Sequence, residues 1–276
     1  MNSDNLSEAL KSILEDSEED TRFWLMAKAL RQKKFLFFKT FYNPAWKLAP
    51  KRLFADDFLT AMLFLIMYTY HCDFNTVQFL CDNYEVDLNH VDMVVGSLFD
   101  VALEHYGVEV ASYLVKHGAD PLLKTNLTRG RYAYIMSHDT PDVIQKCDYM
   151  YSLGVPIEWR DMTYVVESVA DNSGELIAWL YTHGHPDAYA GTLPLLGEEE
   201  MLGNIIVRAF NHELFREIAW LEKIETLLKL GVNPHEEMAF DFMGETKTSM
   251  QYVKDNLQIQ PNLARKILEL MRAYSD

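Results

Sequence analysis

Ser137-His138-Asp139 sets a hydroxyl, an imidazole and a carboxylate side by side, the three groups that nucleophilic acyl transfer uses. Adjacent residues do not make a triad, because the three groups must converge from different directions in space. The tripeptide reads as a polar connector at a helix end. His183, His185 and Asp187 carry donors at a spacing short enough for a metal, but His183-Gly184-His185-Pro186 stands where a helix stops. His71, Cys72, Cys81 and His90 offer soft ligands without zinc-site spacing, and the two cysteines read as buried small apolar groups. His235-Glu236-Glu237 lacks the second His of an H-E-x-x-H helix. Glycines nowhere cluster into a phosphate-cradling loop. With 41 acidic residues in the chain, a pair of carboxylates carries no information. The expectation is a protein that is not an enzyme and takes no metal and no cofactor.

Four loops then draw the eye, because the helices that would position any site end in them. They are His117-Gly118-Ala119-Asp120-Pro121, Leu153-Gly154-Val155-Pro156, His183-Gly184-His185-Pro186 and Leu230-Gly231-Val232-Asn233-Pro234. A weaker fifth copy runs from Asn83 to Asn89. The anchors lie 35, 36, 30 and 47 residues apart, the range of stacked-repeat architectures. Gly just past a helix takes the left-handed conformation, Asn is the usual second choice, and Pro prevents the helix from continuing. Asn83 is therefore expected to take the glycine's role. One helix-stop-exit unit cannot bury its apolar face alone, so copies must stack.

The clearest copy runs from Ser97 to Pro121. Ser97, Phe99, Ala102, Glu109, Val110, Leu114, Gly118, Ala119, Asp120 and Pro121 fall in register with T-P-L-H-x-A followed by G-x-x-E-V-V-x-x-L-L-x-x-G-A-D-P. This resembles an ankyrin repeat, with Leu98 in place of the usual Pro and Asp100 in place of the His that ties neighbouring repeats. Poorer copies are Thr60 to Asn89, opening at Thr60-Ala61-Met62-Leu63, then Arg131 to Pro156, Tyr164 to Pro186 and Leu202 to Pro234. A further one opens at Thr246 and closes with Ala264 to Tyr274. The resemblance implies an all-α, ankyrin-like helical repeat solenoid over residues 55–276, ending in a C-terminal capping repeat. Residues 1–54 do not match it and read as an appended N-terminal helical cap.

Composition fits a folded protein of a reducing compartment. Apolar residues make up 49% of 276, and the three cysteines are too few and scattered for a disulfide framework. The first residues lack the parts of a signal peptide. The longest apolar run, Phe58 to Tyr70, falls short of the about twenty residues of a membrane span. It reads as a buried first helix of a repeat. A cytoplasmic location, or delivery into a host cell without a classical signal peptide, is expected.

Charge is uneven. The net value is −16, yet 21–55 holds nine basic residues and no acid, directly after Glu15-Asp16-Ser17-Glu18-Glu19-Asp20. Phe35, Phe37, Phe38, Phe41, Tyr42 and Trp46 interleave with the cations. This segment is expected to plug the open end of the stack with its aromatics. The alternative is an adaptor in which it binds nucleic acid or an anionic membrane. The acidic whole opposes phosphate at long range, so neither is the expected partner.

Helical stacks imply protein binding through connector tips. The tips nominate His90, Asp92, Lys124, Arg129, Trp159, Arg160, Asp187, Tyr189, Glu236 and Glu237 as partner-binding residues, Trp159 first, since aromatic and Arg side chains dominate interface energetics. The expected function is a non-enzymatic module that occludes or scaffolds a partner protein with a basic surface. An inhibitor, an immunity-type protein or a pathogen effector would fit. The remaining alternative is an enzyme with its site in the insertion at 187–201.

Overall fold

The computed structural model describes residues 11–50, 54–125, 127, 130–137, 140–158, 161, 173–183, 198–211, 217–235, 237–239 and 246–274. These are mostly helical and fall into two compact units, 1–127 and 128–276.

The first unit begins with a helical stretch, α1 (11–16), then α2 (Glu19–Arg31) and α3 (Phe35–Phe41). Two helix pairs follow. The first is α4 (Phe58–Phe64), which widens into a π-helical turn at Leu65–Thr69, with α5 (Phe74–Asn83). The second is α6 (Leu98–Tyr106) with α7 (Val108–Lys116), entered through a short antiparallel hairpin of β1 (Val91–Asp92) and β2 (Gly96–Ser97). The first helix of each pair is buried all round: α4 and its continuation at every position from Phe58 to Met67, α6 from Leu98 to Glu104. The second helices bury a stripe, Thr76, Val77 and Leu80 in α5 and Val110, Ala111 and Leu114 in α7. That difference explains why the 58–70 run carries no polar face while α7 does.

Side-chain caps set the helix starts. Asp57 Oδ1 accepts from both the Thr60 N–H and the Thr60 hydroxyl at 2.8 Å. Asp73 does the same for Thr76, at 3.3 and 2.8 Å. Ser97 and Asp100 form a reciprocal capping box. The first helix of the 60–89 copy therefore begins at Phe58, not at Thr60, because Asp57 satisfies the orphan N–H groups of its first turn. Asp100 turns its carboxylate back on its own helix start.

Several aromatics of the basic segment pack inward. Phe23 meets Phe58 edge-on at 5.2 Å, and Phe35 stacks on Phe79 at 4.4 Å. Phe38, fully buried, lies edge-on to Phe79 and Tyr84.

The second unit contains α8 (Arg131–Met136), α9 (Val143–Ser152), α10 (Ser173–His183), α11 (Glu198–Asn211) and α12 (Glu217–Lys229). A hairpin of β3 (Glu237–Ala239) and β4 (Thr246–Thr248) leads into α13 (Ser249–Asp255) and, after a 3₁₀ turn, α14 (Pro261–Ala273). Within pairs, α8 packs on α9, α11 on α12 and α13 on α14. Between pairs, α9 neighbours α10, α10 neighbours α12, α12 neighbours α14, and α11 neighbours α13. The expected helix opening at Thr246 is a strand for three residues first, with Thr248 as N-cap of α13. Glu198 to Glu200, placed above in an irregular insertion, are the first turn of α11. Residues 184–197 lie outside the described residues.

The glycine stops share one geometry. Gly118, Gly154 and Gly231 have φ of +103°, +79° and +92°. In each, the glycine N–H donates to the carbonyl three residues back (Val115, Tyr151, Leu228), and the next N–H reaches five back (Leu114, Met150, Leu227), at 2.9–3.1 Å. This is the Schellman closure, and its following residue is buried every time: Ala119, Val155 and Val232. Asn83 does not take this role. It is the last residue of α5, the chain leaves through extended Tyr84, and the Asn83 amide donates to the Phe79 carbonyl instead. Lys33 does take it, at φ +55°, with its N–H on Leu30 O and the Lys34 N–H on Ala29 O.

Candidate interaction surface

In the first unit two connectors are locked to each other. The Asn89 amide donates to the Gly118 carbonyl at 3.0 Å and accepts from the Asp120 N–H at 2.7 Å. Asp87 and Asp120 each accept from the N–H two residues on, at 3.0 and 2.8 Å, closing Asx turns. Asn233 repeats the turn in the second unit, accepting from the His235 N–H at 2.9 Å.

Two apolar tips leave this clamp. Asp92 accepts from the N–H groups of Val94 and Val95, bending the hairpin so that Met93 and Val94 stand 80% and 77% exposed while Val95 is buried. Beyond the Asp120 turn, Leu122 is 52% exposed. The same connectors carry Glu85, Asp87, Asp92 and Asp120, with Lys116 and Lys124 as exposed cations along them. Exposed aliphatic groups on backbone held by side-chain hydrogen bonds lose little entropy on docking.

Of the nominated residues, Asp92 shapes the tip, Lys124 is exposed beside it, and Glu237 opens β3 opposite Thr248. His90 is half-buried, its Nε2 bonded to the Phe54 carbonyl at 2.9 Å and its ring edge-on to Phe64. Arg129, Trp159, Arg160, Asp187, Tyr189 and Glu236 lie outside the described residues, as do His138, Asp139 and His185. Met93, Val94 and Leu122 were not nominated. Asp92 and Asp120, one or two positions before them, mark the turns in sequence, but the fold sets which of the apolar residues that follow face water.

Other reactive groups are used internally. Burial pushes the Cys81 thiol up to about 12, aided by Asp82, and raises Cys72 and Cys147 as well, which keeps these sulfurs protonated. His71 and His105 pair with ring centroids 4.7 Å apart, and Tyr68 lies edge-on to His105. Among the described residues no group of three or more His, Cys, Asp or Glu is placed to hold a metal ion.

In the second unit Asp161 is fully buried. Its Oδ1 accepts from the Ala133 N–H and its Oδ2 from the Glu158 N–H, both at 2.8 Å, which ties the start of α8 to the connector after α9. Burial raises its carboxyl to about 7, against the lowering influence of those N–H groups. Lys223 is also fully buried, its ammonium 4.9 Å from the Trp220 ring, and burial lowers it to about 7.

Clefts among the described residues include one of about 400 Å³ beside Glu19, Arg22, Asn43 and Trp46, and one of about 510 Å³ between α10 and α12. The second holds the Lys229–Glu225 ion pair at 2.9 Å. No described helix is long and apolar enough to cross a membrane. Compared with protein-family models, with curated proteins and with solved structures, the chain matches none of them.

Proposed function

We propose that the chain is a non-enzymatic binding protein built as an ankyrin-like stack of helix pairs, and that it occludes or scaffolds a partner protein with a basic surface. The neighbour order of the second unit supports the stack: second helices follow one another from α9 through α10 and α12 to α14, as first helices do from α11 to α13. The observation that carries the binding reading is the pair of apolar tips, Met93-Val94 and Leu122, in an acidic surround on a clamped backbone. Apolar centres give affinity, and complementary charge at the rim speeds encounter and selects partners. Trp159, Arg160, Asp187, Tyr189, Glu236 and Glu237 belong to the same proposal. Inhibitor, immunity-type and effector roles share this chemistry, in the cytoplasm of the producing cell or of a host.

A photo-crosslinking residue at position 94, used in the native cell, tests the reading. It expects a covalent adduct with a protein that presents a basic face, lost when Met93 and Leu122 are both changed to Asp with the melting temperature unchanged. An acidic partner, or an adduct that survives both substitutions, overturns it.

A further inference from the structure

The N-terminal helices carry a second surface whose charge is opposite to that of the chain. On α2, Phe23, Met26, Ala27 and Leu30 are buried. The opposite face, at spacings of one, four and seven residues, holds Trp24, Leu25, Lys28 and Arg31, all exposed, with Trp24 at 44% and Leu25 at 41%. On α3, Phe38 points into the core while Leu36, 79% exposed, and Lys39 point out. Lys33 and Lys34 occupy the turn that joins the two packed helices. We infer that this outer face of α2 and α3, with Trp24, Leu25 and Leu36 among Lys28, Lys34 and Lys39, docks on the surface of an anionic phospholipid bilayer. The inference is independent of the partner reading above, which uses a different edge of the unit.

A bilayer interface takes exposed apolar groups at the acyl boundary and Lys or Arg at the headgroups, and Trp favours that level. Lys28 and Lys34 have no acidic partner among the described residues. The other cations are engaged in part: Lys33 pairs with Asp73 at 2.6 Å, Arg31 lies over the Tyr70 ring at 4.9 Å, and Lys39 over Phe79 at 5.5 Å. Nucleic acid is the poorer fit. Base stacking needs exposed ring faces, whereas Phe35 and Phe38 are packed on Phe79 and the exposed groups are chiefly aliphatic.

The acidic excess elsewhere does not forbid this. Asp20 stands one turn before Trp24, roughly 6 Å along the helix axis, and roughly 12 Å from Lys28, so the acidic end of α2 borders the apolar part of this face and not its cations. Fixed charges are screened within about 8 Å at physiological salt. The local excess of cations therefore governs contact, while the acidic remainder disfavours approach in other orientations.

Sedimentation with vesicles of phosphatidylcholine containing about one third phosphatidylserine tests the inference. Binding is expected, weakening with salt, with a blue shift of tryptophan emission that Trp24→Phe diminishes. Lys28→Gln with Lys34→Gln should lower partitioning roughly 30-fold, at about five-fold per cation. Leu25→Ser with Leu36→Ser should lower it roughly a hundred-fold. All four positions are exposed, so unchanged melting of each variant is the control. Equal binding to pure phosphatidylcholine, no binding at low salt, or binding indifferent to the leucine changes overturns the inference. So does a patch that, without vesicles, instead pairs two copies of the chain or takes up RNA.

Discussion

Asn89 holds the loop of the next helix pair from both sides, accepting from the Asp120 N–H at 2.7 Å while donating to the Gly118 carbonyl at 3.0 Å. An amide supplies donor and acceptor from two separate atoms, whereas a carboxylate offers acceptors alone. Asn89→Ala is expected to cost about 1–2 kcal/mol, and Asn89→Asp nearly as much, since it keeps the acceptor but faces a carbonyl with an anion. Hydrogen exchange at the Asp120 amide checks this directly. Unaltered protection there in the Ala variant would show that the clamp contributes nothing.

The three glycine stops make an internal comparison. Nothing lies within 4 Å of a side chain added at Gly118, Gly154 or Gly231, so the cost of Ala at each is that of the left-handed backbone alone. Each substitution should destabilise by about 1–2 kcal/mol, with similar values at the three sites. Denaturant titration of the variants measures this, and a much larger loss at one site would point to crowding that the backbone geometry does not contain.

Lys33 adopts the same backbone without being glycine, and its ammonium reaches Asp73. Hydrogen bonding to Lys33 holds the Asp73 carboxyl below its usual range, more than burial raises it. Both side chains are partly exposed, so the pair offsets little of the backbone strain. Lys33→Gly should stabilise by about 1 kcal/mol in an Asp73→Asn background and by less in the native chain. A double-mutant cycle reads the difference, and destabilisation by Lys33→Gly in both backgrounds would refute the strain.

Asp161 and Lys223 give the 128–276 unit an unusual dependence on pH. With its carboxyl raised to about 7, folded Asp161 holds a proton that the unfolded chain releases near 4, so stability falls as pH rises between these values. With its ammonium lowered to about 7, folded Lys223 has lost a proton that the unfolded chain keeps to about 10.4, so stability rises over that range. The two contributions meet in a minimum near neutrality, each spanning up to a few kcal/mol at about 1.4 kcal/mol per pH unit. Asp142, held low by Thr140 and Lys146 against the effect of burial, acts only below this window, while Cys147 and Tyr132, both raised by burial, oppose Lys223 above about pH 9 and confine the alkaline rise to the range below it. Urea titrations at several pH values should show the minimum, and Lys223→Met should flatten its alkaline arm alone. A maximum at neutral pH, or an alkaline arm unchanged by Lys223→Met, would contradict the assignment.

The legible parts of the fold were those written in adjacent residues. Gly118, Gly154 and Gly231 announced their stops because a left-handed residue is a local backbone requirement that glycine meets best. Lys33 hid an identical stop because its residue type argues against it, and a contact with Asp73, forty positions away, accompanies it. Asn83 announced a stop it does not make. The Met93-Val94 tip went unread because hairpin pairing and the burial of Val95 decide which of three consecutive apolar side chains faces water.

By itself, then, the order of residues determined the mostly helical character, several helix ends, and the segregation of cations into 21–55, since each depends on spacing within a few turns of chain. Only tertiary structure decided that Asn89 grips Gly118 and Asp120, that Phe23, Phe35 and Phe38 of the basic segment turn inward while Trp24, Leu25 and Leu36 turn out, and that Asp161 and Lys223 are removed from water. Those outcomes depend on which faces of distant segments meet, and burial and electrostatic environment follow from that meeting, not from residue type.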